Sequence, residues 1–500
     1  MTQTICDLLK NAATRSPDSR AIEDTNGPKW TYADFSKAVE SAKAVLDTHG
    51  VAAGDRVLII TENCAAAVAF VFACSQQGAW AVPVNARQTS HEIDRVLNHA
   101  TPRLVVCASL TSPETQAHAQ RLGATPVDGA FGQVSVATPC PSSPAVEDGV
   151  AVLLYTTGTT GQPKGVMLTH DNLIFAGQAS AHIRQIAPSD IVYGALPMTH
   201  VFGLASMIMA SVTATATIRL EARFSAQKLF DALRTGVTVL PAVPQMHALL
   251  MQYTRENGHE HLKDSALRYV SSGAAPLDPV WKRKAEDFYG IALQNGYGMT
   301  ESTAGIASTS NTIGDPDISV GHPLAGVEVS IDQTVPGGGD GIGEVLTRGP
   351  HVMRGYYLNP DETTKTLDTD GWLHTGDLGR IDDSGCLHIL GRSKELIIHG
   401  GFNVYPPEVE AALNDHPNVV QSAVIGRPTS SNDEEILAFV QEDNSGDLTV
   451  DDLRDFIRPR LTGYKLPARI ILTKALPAAP TGKILKHKLL DTFTAELGDA

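Results

Sequence analysis

The chain lacks any apolar run long enough to cross a bilayer. Its longest clean one, residues 65–74, falls far short of the ~20 residues that a spanning helix requires. The N-terminal residues Met1 to Cys6 show no basic segment followed by an apolar one, so no signal peptide is expected and the protein reads as soluble and cytoplasmic. Cysteine is scarce and scattered, at 6, 64, 74, 107, 140 and 386. With no Cys-x-x-Cys and no Cys/His pair at zinc spacing, neither a disulfide framework nor a structural zinc site is expected. Basic residues are outnumbered, 39 Lys and Arg against 55 Asp and Glu, for a net charge of −16. No basic block interrupts the acidic background, which disfavours nucleic acid or an anionic membrane as the main partner.

What is present is a long chain with ample apolar content, 42% of 500 residues, more than one hydrophobic core usually serves. It is organised around Leu153 to His170. An apolar run from Val150 to Tyr155 reads as a buried strand and ends in Thr156-Thr157-Gly158-Thr159-Thr160-Gly161-Gln162-Pro163-Lys164-Gly165. Glycines let backbone N–H groups approach an anion, the threonines add donors and Lys164 adds charge. That combination suits a polyphosphate better than a plain polar turn. It is not a Walker A sequence, because Pro163 separates glycine from lysine and Gly165 follows it.

Tyr-Thr-Thr-Gly-Thr-Thr-Gly-Gln-Pro-Lys-Gly resembles the nucleotide loop of the adenylate-forming superfamily, which includes acyl-CoA synthetases, luciferase and peptide-synthetase adenylation domains. The resemblance runs through nearly the whole chain. It implies ATP, Mg2+ and coenzyme A as cofactors, with Thr156, Thr157, Gly158, Thr159, Thr160, Gly161 and Lys164 around the phosphates. The fold it implies is α/β: a large N-terminal domain of layered α/β subdomains plus a small β-subdomain, residues 1–393, and then a small mobile α+β lid, residues 394–500.

The residues themselves read in the same sense. Thr31 caps a helix through about Leu46; strands are expected at 56–60, 80–84 and 104–107, with a buried helix at 65–77. From Thr111 to Asp148 weak periodicity suggests a variable surface passage. His200, in Met198-Thr199-His200-Val201-Phe202-Gly203, is by resemblance a wall of the carboxylate site. Ser271 to Leu277 reads as a strand-to-helix turn of small residues, and by resemblance Gly273, Ala274 and Ala275 flank the adenine. In Asn295-Gly296-Tyr297-Gly298-Met299-Thr300-Glu301 the glycines expose the Tyr297 ring for stacking against a base. Thr300 offers a hydroxyl to phosphate, and by resemblance Glu301 ligates Mg2+.

Residues 320–355 are glycine-rich and strand-like, with Gly355-Tyr356-Tyr357 at their end, and read as the small β-subdomain. Beyond them the resemblance assigns Asp377 to the ribose, Arg392 to ribose or phosphate, Lys394 to a hinge and Gly400-Gly401 to the passage of the pantetheine arm. Lys483, in Pro480-Thr481-Gly482-Lys483, matches the lysine that promotes adenylation. Catalysis would then fall to Lys483, His200, Thr300 and Glu301.

Two further features bear on the acid. Val201-Phe202-Gly203 lacks the aspartate with which amino-acid-activating relatives hold an ammonium group, and Val243 to Leu250 lacks the arginine of malonate-specific ones. The expected partners are therefore a neutral monocarboxylic acid, fatty or aryl, and CoA, with transfer to a carrier protein as the alternative and a homodimer left open.

Overall fold

The computed structural model describes residues 3–108, 110–139, 149–157, 163–274, 277–400, 402–429, 433–443, 448–479 and 484–497. Two large sheets build the N-terminal part. The first has eight strands, in the order Gly355–Tyr356, Pro163–Thr169, Val150–Thr157, Trp80–Asn85, Arg56–Thr61, Leu104–Cys107, Gly132–Ala137 and Thr125–Gly129. The second has nine and runs from His322–Pro323 through Leu293–Tyr297, Tyr269–Gly273 and Val239–Ala242 to Lys29–Thr31. Both have parallel centres and antiparallel edges. Parallel strands are covered on both faces, which is why Arg56–Thr61 and Trp80–Asn85 are buried at every position.

Helix Ala65–Gln77 is apolar around its whole circumference and buried throughout its first three turns. It packs against helix Tyr32–Thr48 and against strands of both sheets. Thr31 caps that second helix: its hydroxyl accepts from the Asp34 N–H at 3.1 Å, while the Asp34 carboxylate accepts from the Thr31 N–H. Cys6, Cys64, Cys74 and Cys107 are buried free thiols, the packing role that their scatter suggested.

A four-stranded antiparallel sheet follows, Glu328–Asp332, Gly343–Arg348, Leu373–Ile381 and Leu387–Arg392. After a single 3₁₀ turn, Ser393–Glu395, the chain forms the hairpin Ile397–His399 with Phe402–Val404, helix Pro406–Asn414, and a three-stranded sheet of Val419–Pro428, Glu434–Glu442 and Arg469–Thr473. This last unit has a core of its own, around Val409, Leu413, Ala438, Val440 and Leu453.

Three expectations need correction. Within 111–148 the described residues 111–139 form regular elements that the weak periodicity did not show: Ser112 caps helix Pro113–Arg121, and Thr125–Gly129 pairs with Gly132–Ala137 at the edge of the eight-stranded sheet. The outer strand is mostly exposed, so it carries no apolar alternation to read. Ser271, Ser272 and Gly273 belong to a strand rather than a turn, in parallel register with Gln294, Asn295 and Gly296. Gly355–Tyr356 leaves the small sheet and pairs instead with Met167 and Val166 beside the phosphate loop.

Helix His170–Ile183 crosses the segment Leu204–Met209 at close range. A Cβ at Gly177 would lie 2.9 Å from Met209 Cβ and 3.1 Å from its carbonyl carbon. Helix propensity alone favours alanine over glycine by about 1 kcal/mol, but backbone cannot recede as a side chain can. Gly177→Ala is therefore expected to destabilise the protein by about 1–3 kcal/mol, read as a lower denaturation midpoint; a raised midpoint would show that the helices separate freely.

Candidate functional site

Strand Val150–Thr157 turns back on Pro163–Thr169 with Thr156 opposite Lys164 and Thr157 opposite Pro163, so the register fixes where Lys164 emerges. Gly158, Thr159, Thr160, Gly161, Ala275, Gly401 and Lys483 lie outside the described residues. The remaining candidates fall into three groups.

The first surrounds Asp377. In the small sheet Asp377 sits directly across from Arg392, and the guanidinium Nε lies 2.8 Å from Asp377 Oδ1. The Tyr297 hydroxyl donates to Asp377 Oδ2. Burial, then the neighbouring Asp377 charge, push the Tyr297 phenol well above its ordinary range, so it stays a donor. Asp377, Arg392 and Tyr297 come from two different sheets and meet here.

The second surrounds Glu301, in the 3₁₀ turn Thr300–Ser302, where both Thr300 and Glu301 are buried. The Tyr356 hydroxyl donates to Glu301 Oε1 at 2.8 Å. Among the described residues Glu301 Oε2 has no protein partner, and no cluster of three or more metal-ligating side chains exists. One buried, half-engaged carboxylate fits Mg2+, which typically takes one or two protein carboxylates and completes its shell with phosphate oxygens and water. Lys164 lies on the other side of Tyr356, its Nζ 5.3 Å from the ring centroid, and pairs with Glu362.

The third is an apolar wall. Gly273 and Gly296 are opposite each other on neighbouring strands. The Phe202 ring lies over Gly273 so closely that an added Cβ would be 3.0 Å from Cε1. His200 caps the short helix Val201–Gly203, its Nδ1 accepting from the Phe202 N–H at 3.2 Å. It thus also holds the residue that forms the wall. Gly298 is obligatory, since a Cβ would meet the Ala304 carbonyl oxygen at 2.1 Å. The strained backbone gathers nearby, with Ala274, Thr303 and Ala304 at φ +68°, +46° and +79°. Asn295 faces inward and serves the framework: its side-chain amide donates to the Ser319 carbonyl at 3.0 Å.

Lys394 is exposed in the turn Ser393–Glu395. Gly400 has φ +58° and donates its N–H to Asp433 Oδ1 at 2.8 Å, holding the hairpin 397–404 against the three-stranded sheet. Tyr356, Glu362 and Phe202 were not singled out from sequence. Their roles come from pairings across more than fifty residues, for which no local pattern exists.

His247 lies in the segment where an arginine would mark a second carboxylate. It is buried between the Tyr289 hydroxyl, 2.8 Å from Nδ1, and the Ser271 carbonyl, 3.2 Å from Nε2. Burial pushes its imidazole down to about 4, so it supplies no cation at neutral pH.

Residues 9–357 match the AMP-binding enzyme family, and residues 408–483 match the AMP-binding enzyme C-terminal domain. A probable CoA ligase of Humulus lupulus is 31% identical, covering 99% of this chain and 98% of its own length. An oxalate–CoA ligase of Arabidopsis thaliana is 32% identical (98% and 98%), and a feruloyl-CoA synthase of an Amycolatopsis species is 32% identical (96% and 97%). Among solved structures, ATP-bound MatB from Rhodopseudomonas palustris superposes with a TM-score of 0.83 at 32% identity, covering 99% of this chain and all of that one. The O-succinylbenzoate CoA synthetase of Bacillus subtilis, solved with ATP and magnesium, gives 0.81 at 28%, with 96% and 98% covered.

His247 also sets an acid limit on stability. Its folded-state value lies below the ordinary 6.5, so its contribution is complete above about pH 6.5 and is lost as the pH falls from there through about 4. The unfolding midpoint is expected to drop over that interval, and with a shallower slope in His247→Asn. An identical slope in the variant would mean that the site protonates without unfolding.

Proposed function

This chain belongs to the AMP-binding enzyme family, and we propose that it is an ATP-dependent acyl-CoA synthetase for a monocarboxylic acid with a neutral body, fatty or aryl. As an acid–thiol ligase it joins a carboxylic acid to CoA and forms AMP and pyrophosphate. The observation that carries the substrate class is the absence of any lysine or arginine from 195–210, 243–251, 271–274 and 296–304, together with the neutrality of His247. A second carboxylate entering that wall would be desolvated without a partner.

In the first half-reaction a carboxylate oxygen attacks the α-phosphorus of ATP. A new C–O–P linkage forms, the α–β phosphoanhydride breaks and pyrophosphate leaves. The acid is already ionised at neutral pH, so the protein needs no base and supplies position and positive charge instead. Lys164, Thr156, Thr157 and the loop beyond them are assigned to the β- and γ-phosphates, and Lys483 to the α-phosphate. Thr300 donates to phosphate. When bound, Mg2+ held by Glu301 would neutralise phosphate charge. Asp377 and Arg392 grip the ribose end, Gly273, Ala274 and Ala275 face the adenine, and the Tyr297 ring with its neighbours Asn295 to Met299 closes the slot. His200 and Phe202 line the carboxylate side.

In the second half-reaction the CoA sulfur attacks the acyl carbonyl carbon, a C–S bond forms, the thiol proton is lost and AMP departs. We place the domain boundary at 393/394. Rotation about Lys394 would withdraw Lys483 and bring the hairpin bearing Gly400 and Gly401 toward the adenylate.

The test is a pyrophosphate-release screen over fatty, aryl and dicarboxylic acids, with and without CoA. The expected result is release with monocarboxylates and CoA-dependent formation of AMP and thioester. Preference for a dicarboxylate such as oxalate would contradict the neutral-pocket reading.

A further inference from the structure

The mechanism above leaves one charged residue beside the phosphates unused. Glu362 lies in the first turn of helix Pro360–Thr366, where its N–H donates to the capping Asn359 Oδ1 at 3.1 Å. Its carboxylate is ion-paired with Lys164. Both partners are well shielded, with side-chain exposures of 17% for Lys164 and 28% for Glu362, so their attraction is less screened than that of a surface pair. Lys164, and to a lesser extent Lys365 and Lys394, hold the Glu362 carboxyl below its usual range. It is therefore ionised at neutral pH.

The surrounding charges make this placement consequential. Lys164 stands over the Tyr356 ring, and the Tyr356 hydroxyl is bonded to Glu301. One ammonium thus lies in a neighbourhood that already holds two carboxylates, Glu301 and Glu362. Glu301 has an assigned cation. Among the described residues Glu362 has Lys164 at bonding distance, with Lys365 at 3.9 Å on a side chain that is 74% exposed. A triphosphate that recruits Lys164 must take it from Glu362, and then sits next to the released carboxylate. A lysine suits such an exchange, because its ammonium is a compact point charge on a flexible stem with three rotatable donors.

We infer that Glu362 is a resident counter-anion for the phosphate lysine, displaced when the triphosphate of ATP binds and recovering Lys164 as pyrophosphate leaves. It is a positioning residue and does not touch the reacting atoms. The inference rests on the assignment of Lys164 to the phosphates. It predicts that the negative charge of Glu362 weakens ATP binding and favours pyrophosphate departure. The opposite role, an acid that merely aims Lys164, would make ATP bind less well once the charge was removed. The two therefore differ in sign.

The experiment is isothermal titration calorimetry of the full chain with ATP in Mg2+ buffer and, separately, with inorganic pyrophosphate. Glu362→Gln is expected to tighten both by roughly three- to tenfold, to strengthen product inhibition by pyrophosphate in turnover, and to shrink in effect when combined with Lys164→Gln. Unchanged or weaker binding by Glu362→Gln, with a melting temperature like that of wild type, would overturn the inference. So would a gain that persists undiminished in the Lys164→Gln background. If wild type bound ATP but Lys164→Gln bound it equally well, the phosphate assignment of Lys164 would fall first and this inference with it.

Discussion

A buried negative charge that must be kept ionised shapes the centre of this molecule. Asp377 is 4% exposed, and burial by itself would push it toward the neutral acid. Arg392 faces it from the neighbouring strand and the Tyr297 hydroxyl donates to it from the end of another sheet, two contacts that both favour the charged form. Losing either partner would leave this buried carboxylate less well compensated, although the Arg392 side chain itself keeps 43% of its surface in solvent. The small antiparallel sheet is consequently fastened to the nine-stranded one at Asp377. The hinge turn begins one residue after Arg392, so the same contact anchors the fixed side of the proposed rotation.

The phosphate side follows a different logic. The acids and bases there are linked in series, Glu301 to Tyr356, Tyr356 under Lys164, and Lys164 to Glu362. No described residue other than Tyr356 is bound to the Glu301 carboxylate. The chain carries a strongly acidic balance and yet is built to handle a tetra-anionic substrate. In the proposed reading that conflict is met locally, by holding Lys164 in a pair that a stronger anion can take over. On the proposed acyl side, by contrast, the buried His247 is held neutral.

How much of this was legible in the sequence depended on whether the determining contact was local. Elements whose signals are local were read closely: Thr31 opens Tyr32–Thr48, and the strongly apolar 65–77 is a helix over those same residues. The Asp377 neighbourhood was visible as separate motifs, but nothing in their spacing announced that Tyr297 would bond to Asp377 from 80 residues away. Gly355–Tyr356 was placed in the wrong sheet because two residues carry no period, and only the edge offered by Val166 and Met167 decides where they pair. The hairpin 125–137 was missed since its outer strand lies mostly in solvent, where selection for alternation is weak. Phe202 was legible as apolar, whereas its contact with Gly273 depends on a strand that had been read as a turn.

The central claim is that the Asp377 carboxylate, kept charged by Arg392, is the acceptor for the two ribose hydroxyls. Comparing the affinities of ATP and 2′,3′-dideoxy-ATP for wild type and for Asp377→Asn tests it directly. The account predicts at least roughly tenfold discrimination in favour of ATP in wild type, as a site built to bond hydroxyls rejects an analogue lacking them, and its near disappearance in the variant. Equal affinity of wild type for the two nucleotides would contradict it.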